Sequence, residues 1–160
     1  MINESPRQES MIRIARSDSR NPDFARLAAE LEEELKIRDG EENEFYATLN
    51  AIGYIPRAIV AYRADWIAGC GAFQEYEPGT VELKRMYVRK SCREEGIGSV
   101  ILLELETWAQ SMGYRHCILE TGINQPEAIA FYQKQGYRPI PLFGNYIHSA
   151  NSACFKKKIG

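Results

Sequence analysis

Long apolar runs and an excess of basic residues are missing from this 160-residue chain, which has only two histidines. No hydrophobic stretch approaches the roughly 20 residues that a membrane helix needs, and the polar start MINESPRQES is unlike a secretory signal. The formal net charge of −2 lacks the basic footprint of a nucleic-acid binder. We therefore expect a cytoplasmic protein without membrane or nucleic-acid partners.

Cysteine and histidine are too few and too scattered for a metal centre or a disulfide framework. The four cysteines form no C-x-x-C pair, and the two histidines belong to no H-E-x-x-H pattern. These residues are Cys70, Cys92, Cys117, Cys154, His116 and His148. We expect free, mostly structural thiols and no bound metal.

The composition that remains is typical of one globular domain. Hydrophobic residues make up 44% and charged residues 26%, and 160 residues suit a single core. Residues 1–10 show no periodicity, which predicts a flexible N-terminal tail. Residues 11–160 are predicted to form one domain.

The hydrophobic periodicity changes along the chain from helical to strand-like and back. Alternating residues predict a strand at 11–15, and Asn21-Pro22 opens a helix that is expected to end near Gly40. A short helix over 42–49, three antiparallel strands, a long helix from Ile97, and further strands and a helix follow. The predicted fold class is α/β (α+β), with a mixed, mostly antiparallel central sheet of 6–7 strands flanked by about four helices.

The segment Arg93-Glu94-Glu95-Gly96-Ile97-Gly98 lies between a predicted strand and the long helix. Glycines allow close approach of a ligand to the backbone, and first-turn amides of a helix bind anions. A Rossmann fingerprint lacks its third glycine here, and no G-K-[ST] follows for a Walker loop. Two interpretations remain, a pyrophosphate site outside both frameworks and a simple loop-to-helix turn.

From about Thr80 to Pro139 the sequence resembles the core of the GNAT superfamily of N-acetyltransferases. Its signature, [R/Q]-x-x-G-x-[G/A] after a hydrophobic strand, is matched by VELKRMYV and the glycine segment. The strand RHCILETG and the run NQPEAIAFYQKQGY resemble the rest of that core in order and spacing. The N-terminal half matches only in its α-α-β-β-β layout.

The resemblance implies that acetyl-CoA is the co-substrate, with no metal. It places the pyrophosphate on the loop residues Arg93, Glu95, Gly96, Ile97, Gly98 and Ser99. The pantetheine arm is expected along Met86, Tyr87 and Val88, bonding to their main chain like an added strand. Asn124 matches a position that often touches the cofactor; its alternative role is the N-cap of the next helix, with Glu127 at N3.

Two residues are candidates for catalysis by resemblance. Tyr132 matches the tyrosine that often serves as general acid, because a phenol can protonate or hydrogen-bond a departing thiolate. Glu82, eleven residues before Arg93, matches the general-base glutamate of the histone-modifying branch. The alternative for Glu82 is a partly exposed strand glutamate paired with Lys84 or Arg57.

The acceptor is expected to be a primary amine of a small molecule or a peptide, acetylated by direct attack on the thioester. Tentative acceptor-site residues are Phe45, Tyr46, Asn145 and Tyr146. Residues Glu41, Glu42 and Glu44 either attract a cationic acceptor or form a solvated loop. Other open alternatives are a non-catalytic acyl-CoA-binding module, a protein-directed acetyltransferase and a homodimeric assembly.

Overall fold

The computed structural model describes residues 11–39 and 53–160. These residues form one seven-stranded sheet in the order β1-β2-β3-β4-β5-β7-β6. The strands are β1 Ile12–Ser17, β2 Arg57–Arg63, β3 Trp66–Glu77, β4 Thr80–Val88, β5 His116–Gly122, β6 Arg138–Ile140 and β7 Ser152–Lys158. The helices are α1 Pro22–Asp39, α2 Ile97–Ser111 and α3 Pro126–Lys134, with 3-10 turns at Lys90–Cys92 and Gly144–Tyr146.

The sheet is antiparallel except where β4 meets β5. These two strands run parallel and pair only at Thr80↔His116, Val81↔Cys117 and Glu82↔Ile118. Both strands continue beyond the last pair, β4 to Val88 and β5 to Gly122. The strands therefore separate after Glu82 and leave a wedge open in the middle of the sheet.

A bulge at Arg85 interrupts β4 just past the point of separation. Arg85 has a φ of 57°, in the left-handed region that non-glycine residues rarely adopt, and the register with β3 shifts beside it. Because the bulge inserts one residue, Leu83 and Met86 both pack on the core that faces α2. Tyr87 then packs on the opposite face of the sheet, against the core that helix α1 covers.

Helix α2 covers one face of the sheet with a stripe of apolar residues. Ile97, Ile101, Leu105 and Ala109 recur every four residues and are buried. Gly69 and Gly71 of β3 permit this close packing, because a Cβ at either position would lie within 2.9 Å of the Ile101 or Leu105 side chain. Helix α1 covers the other face through Phe24 and Leu27.

The predicted fold class is confirmed, with seven strands and three helices in the described part of the chain. Helix α1 ends at Asp39, where the sequence predicted its end. The predicted short helix over 42–49 and the predicted tail over 1–10 lie outside the described residues. The assignment of 11–160 to a single domain stays a prediction.

Candidate active site

A cleft of about 580 Å³ lies where the end of β4 meets the starts of α2 and α3. Helix α1 forms one wall through Leu31, Glu34, Leu35 and Arg38, and α3 forms the facing wall. Between them the end of β4 and the glycine loop complete the lining with Met86, Tyr87, Val88, Cys92, Arg93, Glu94, Gly96, Ile97, Gly98 and Ser99. The cleft thus joins the strand and the loop that the sequence analysis singled out.

The glycine loop enters helix α2 through a left-handed residue. Gly96 is the N-cap, with φ 81° and ψ 6°, and no side chain caps the helix there. The carbonyl of Gly96 accepts the first α2 hydrogen bond, from the amide of Val100 at 3.2 Å. The amides of Ile97, Gly98 and Ser99 therefore lie in the first turn, where helix amides lack intrahelical acceptors and attract anions.

Ion pairs attach the glycine loop to neighbouring elements. The Arg93 guanidinium contacts Glu34 Oε2 of α1 at 2.6 Å and donates through Nε to the Val88 carbonyl at 2.8 Å. The hydrogen bond to Glu34 raises the pKa of Arg93. Glu95 pairs with Arg63 of β2. The loop is thereby fixed against α1 on one side and β2 on the other.

A smaller cavity of about 120 Å³, here called the inner cavity, continues from the cleft into the wedge between the separated strands. It takes Leu83, Lys84, Arg85 and Met86 from β4 and Leu119, Glu120, Thr121 and Gly122 from β5. Its remaining lining residues, which also border the larger cleft, are Leu31, Leu35, Gln125, Ala128 and Tyr132. A ligand in the cleft can therefore extend one end between β4 and β5.

Tyr132 lies where the two cavities meet. Its ring packs edge-on against Phe131 and Tyr137, with ring centroids 5.1 and 5.8 Å away. Burial, with a smaller contribution from the charge of Glu120, raises the pKa of the Tyr132 phenol well above its ordinary value. A phenol with a raised pKa stays protonated at neutral pH, so Tyr132 can act as a hydrogen-bond donor.

Glu82 belongs to a buried polar cluster that it forms with Lys84 and Tyr146. Its carboxylate pairs with Lys84 Nζ at 2.8 Å and accepts a hydrogen bond from Tyr146 Oη at 3.1 Å. Lys84 Nζ also contacts Tyr146 Oη at 2.9 Å. Only 6% of Glu82 is exposed, and among the described residues it is not part of the lining of either cavity.

Similarity to known proteins identifies the family of this chain. The sequence profile of the acetyltransferase (GNAT) family matches residues 13–137. The chain belongs to the GNAT family. The predicted resemblance is confirmed, and the predicted enzyme class, acyltransferase, is that of the family.

Several relatives of this GNAT protein carry acetyltransferase names. The IAA acetyltransferase of Azospirillum brasilense is 40% identical over 91 residues, 56% of this chain and 60% of the relative's length. The chain thus matches less than two thirds of that relative. The uncharacterised N-acetyltransferase YjgM of Escherichia coli is 27% identical over 150 residues, 88% of each chain.

Solved structures agree with the family assignment. A Klebsiella pneumoniae protein described as an acyl-CoA N-acyltransferase superposes with a TM-score of 0.79 at 26% identity, covering 94% of this chain and 99% of that one. A Bacillus subtilis acetyltransferase in complex with CoA has a TM-score of 0.63 at 18% identity, covering 92% and 99%. The second likeness concerns the fold alone.

The residues of this GNAT chain fit coenzyme A at the cleft. First-turn amides of α2 suit a pyrophosphate, and the open strand edge of β4 beyond Glu82 suits an extended amide-bearing arm. Of the loop and strand residues assigned to the cofactor from the sequence, all but Glu95 and Asn124 line the cleft. Their contacts with the cofactor stay predictions.

Two sequence interpretations need correction. Asn124 is not the N-cap of α3, because Gln125 occupies that position and makes no side-chain cap bond. Asn124 itself is exposed, whereas Gln125 lines both cavities. The alternative description of Glu82 as partly exposed is also wrong, although its proposed pairing with Lys84 is observed. The role of Glu82 as general base stays a prediction.

The structure describes two of the four tentative acceptor residues, and these two differ in burial. Tyr146 is buried against Glu82 and Lys84, whereas Asn145 is exposed. Phe45 and Tyr46, like the acidic run 41–44, lie outside the described residues. The sequence analysis missed Glu120 and Gln125, because neither belongs to the signature and both gain importance only from the separation of β4 and β5.

The residues that the structure describes include neither a candidate metal site nor a disulfide. Within residues 11–39 and 53–160, no three His, Cys, Asp or Glu side chains are grouped to hold a metal ion. The four cysteines are free and buried. No helix in the same ranges is long and apolar enough to cross a membrane.

Proposed function

We propose that this GNAT protein is an acetyl-CoA-dependent N-acetyltransferase that transfers the acetyl group to a primary amine of a small molecule or a peptide. The observation that carries the proposal is the continuous path from the glycine loop to the wedge between β4 and β5, with Tyr132 at the junction. Acetyl-CoA supplies an activated acyl group with a good thiolate leaving group.

The chain binds and orients the two reactants, and it stabilises the negative charge that develops on the acyl oxygen and on the sulfur. The helix α2 amides bind the pyrophosphate, and the open edge of β4 aligns the arm towards the inner cavity. The backbone amide near Tyr87, just beyond the bulge, donates to the acyl oxygen as negative charge develops. Tyr132 Oη donates a hydrogen bond to the sulfur as the C–S bond breaks.

Direct transfer to the amine suits this site better than a covalent enzyme intermediate. The amine attacks the acyl carbon in the inner cavity, where the described lining offers no cysteine and no histidine. The name of the Azospirillum relative gives IAA as its substrate, which supports a small-molecule acceptor here. A cytoplasmic location and a homodimer stay predictions from the sequence.

Release of free thiol from acetyl-CoA in the presence of amines tests the proposal. The buried cysteines of the folded protein limit background reaction with a thiol reagent. We expect release that depends on both the enzyme and an amine, and that falls in Tyr132→Phe. Saturable acetyl-CoA binding without release for any amine or peptide favours the acyl-CoA-binding module instead, and release only with a folded protein substrate favours the protein-directed alternative.

A further inference from the structure

The inner cavity has a cation on its β4 side that neither the family signature nor the proposed chemistry explains. Arg85 lines this cavity but not the larger cleft, so it lies beyond Tyr132, which lines both. Lys84 is the other cation in the lining, and its charge is balanced by Glu82 at 2.8 Å. Arg85 is therefore the cation whose function the proposed acetyl transfer leaves open.

The backbone conformation at Arg85 does not favour an arginine. Its φ of 57° lies in the left-handed region, which glycine and asparagine adopt at lower cost than a long side chain does. Unfavourable backbone conformations of this kind are concentrated at functional sites. Because the shape of the bulge gives no reason for an arginine, the reason lies with its side chain.

The surroundings of Arg85 indicate that its side chain lies on the face of the sheet that helix α1 covers. Cys70 of β3 belongs to the core on that face, and its Sγ donates to the Arg85 carbonyl at 3.2 Å. Burial raises the pKa of the Cys70 thiol, and the charge of Arg85 opposes that rise. Leu31 and Leu35 of α1 line the same cavity as Arg85. The half-buried guanidinium is thus partly surrounded by apolar groups, which strengthens its attraction for an anion.

The two sides of the inner cavity carry opposite charges. Arg85 contributes a positive charge from β4, and Glu120 contributes a negative charge from β5, across the gap that opens beyond the pair Glu82↔Ile118. Ser152 Oγ donates to Glu120 Oε2 at 2.6 Å and holds that carboxylate on the β7 side. A small ligand that carries both a positive and a negative group matches these walls, whereas a plain amine offers nothing for the guanidinium to bind.

A carboxylate is the anionic group that suits Arg85 best. A guanidinium is a planar fork with five N–H donors, so it can bind a carboxylate through two parallel hydrogen bonds and still keep a bond to the protein. The volume of about 120 Å³ admits a carboxylate and a few carbon atoms rather than a large anion. Since the acceptor nitrogen must reach the thioester near Tyr132, where the two cavities meet, only a few bonds can separate the amine from the carboxylate.

Building on the proposed acetyl transfer, we propose that the acceptor is a small molecule of the amino acid class and that Arg85 binds its carboxylate. The amine nitrogen forms the new C–N bond, the C–S bond breaks, and one proton of the nitrogen passes to solvent. The sulfur leaves as a thiolate, which takes up one proton as coenzyme A departs. Arg85 exchanges no proton in this step; it orients the acceptor and determines which amines are accepted. The competing explanation is that Arg85 only balances the charge of Glu120.

The test uses pairs of acceptors that differ only in a carboxylate: L-alanine with ethylamine, L-leucine with 3-methylbutylamine, and L-phenylalanine with 2-phenylethylamine. Arg85→Gln should lower kcat/KM for the amino acids by roughly 10- to 100-fold, chiefly through KM, because hydrogen bonds to a charged group are lost. The kcat/KM for the matched amines should change little. Each probe is compared between two enzymes, so the intrinsic reactivity of its amine cancels. Arg26→Gln is the control, because Arg26 is an exposed arginine of α1 outside both linings, and it should affect neither member of a pair.

A second variant separates binding from folding. Asparagine tolerates the left-handed region better than arginine does, so Arg85→Asn should keep or raise Tm while it shows the same loss with the amino acids. If Arg85→Gln fails to fold, Arg85→Asn takes its place in the comparison. Succinyl-CoA, used with the amines that lack a carboxylate, tests whether the carboxylate belongs to the acyl group instead of the acceptor.

The outcomes are distinct. A loss confined to the amino acids supports the proposal. Equal losses for both members of each pair, or a lower Tm in Arg85→Asn with amino acid turnover intact, mean that Arg85 only supports the fold or balances Glu120. Wild-type turnover of the amines but not of the amino acids, or a loss seen only with succinyl-CoA, also overturns the proposal while acyl transfer stands. Absence of amine-dependent thiol release in the wild type with every probe overturns the proposed function and this inference together.

Discussion

Tyr132 combines an apolar packing role with a polar one, and a single substitution separates them. Phenylalanine preserves the edge-on contacts with Phe131 and Tyr137 but removes the hydroxyl. We expect Tyr132→Phe to lower kcat by roughly 10- to 100-fold, the value of a hydrogen bond to a charged group of about 1.5–3 kcal/mol. KM for acetyl-CoA should change little, and steady-state thiol release measures both constants.

The pH dependence of the same residue follows from its surroundings. Burial and the charge of Glu120 both raise the pKa of the phenol, so the donor form persists to higher pH than for an exposed tyrosine. Wild-type kcat should therefore show no alkaline decline below about pH 10, the ordinary pKa of tyrosine. An alkaline limb near pH 8 that is absent from Tyr132→Phe would contradict this assignment.

At the scale of elements, the start of helix α2 is predicted to bind the pyrophosphate of coenzyme A. The glycine beyond the other end of the helix is a matched control. Gly96 and Gly113 flank the helix with φ values of 81° and 92°, and a Cβ at either position meets no atom within 4 Å. Alanine at either should cost roughly 1–2 kcal/mol of stability from left-handed backbone strain. Only Gly96→Ala should weaken acetyl-CoA binding, measured by calorimetry; equal Kd values for the two variants would count against the loop.

A second ion pair, between Arg89 and Glu30, joins helix α1 to the segment that follows β4. This ion pair makes the free energy of unfolding depend on pH. Arg89 donates to both oxygens of Glu30 at 3.0 and 2.7 Å, and this hydrogen bonding lowers the pKa of Glu30 below its ordinary value of 4.5. A lowered folded-state pKa gives stability that is present above pH 4.5 and is lost as pH falls through the folded value.

Thermal unfolding of Glu30→Gln across pH tests this attachment. We expect its Tm to lie below that of wild type at pH 7 and the difference to shrink as the pH falls below 4.5, because Glu30 then binds a proton in the unfolded chain before it does so in the folded protein. Glu33→Gln, an exposed position on the same helix, is the control and should leave Tm nearly unchanged at both pH values. A Tm difference that does not vary with pH would show that packing rather than charge joins α1 to β4.

Elements were easier to predict from this sequence than contacts between them. Alternation and helical spacing are local properties, so the sequence predicted three consecutive antiparallel strands and a long helix from Ile97, and β2, β3, β4 and α2 follow in that order. The bulge at Arg85 and the separation of β4 from β5 depend on pairing between distant segments. For this reason the sequence pointed to Glu82 by spacing, whereas the prominence of Glu120 in the inner cavity required the three-dimensional arrangement.

At the scale of the whole molecule, the cleft draws its walls from α1, β4, α2 and α3, so ligand binding should stabilise the entire fold. A ligand that binds only the folded state at 100 times its Kd adds about 2.7 kcal/mol. For a chain of this size we expect coenzyme A to raise Tm by roughly 5–10 °C, since each kcal/mol shifts Tm by about 2–4 °C. At the same concentration, ADP, which has a diphosphate but no pantetheine arm, should give a clearly smaller shift, because it leaves the edge of β4 and the inner cavity unfilled. Equal shifts with both ligands would mean that binding ends at the glycine loop, and the path into the wedge would then lose its role in positioning the thioester.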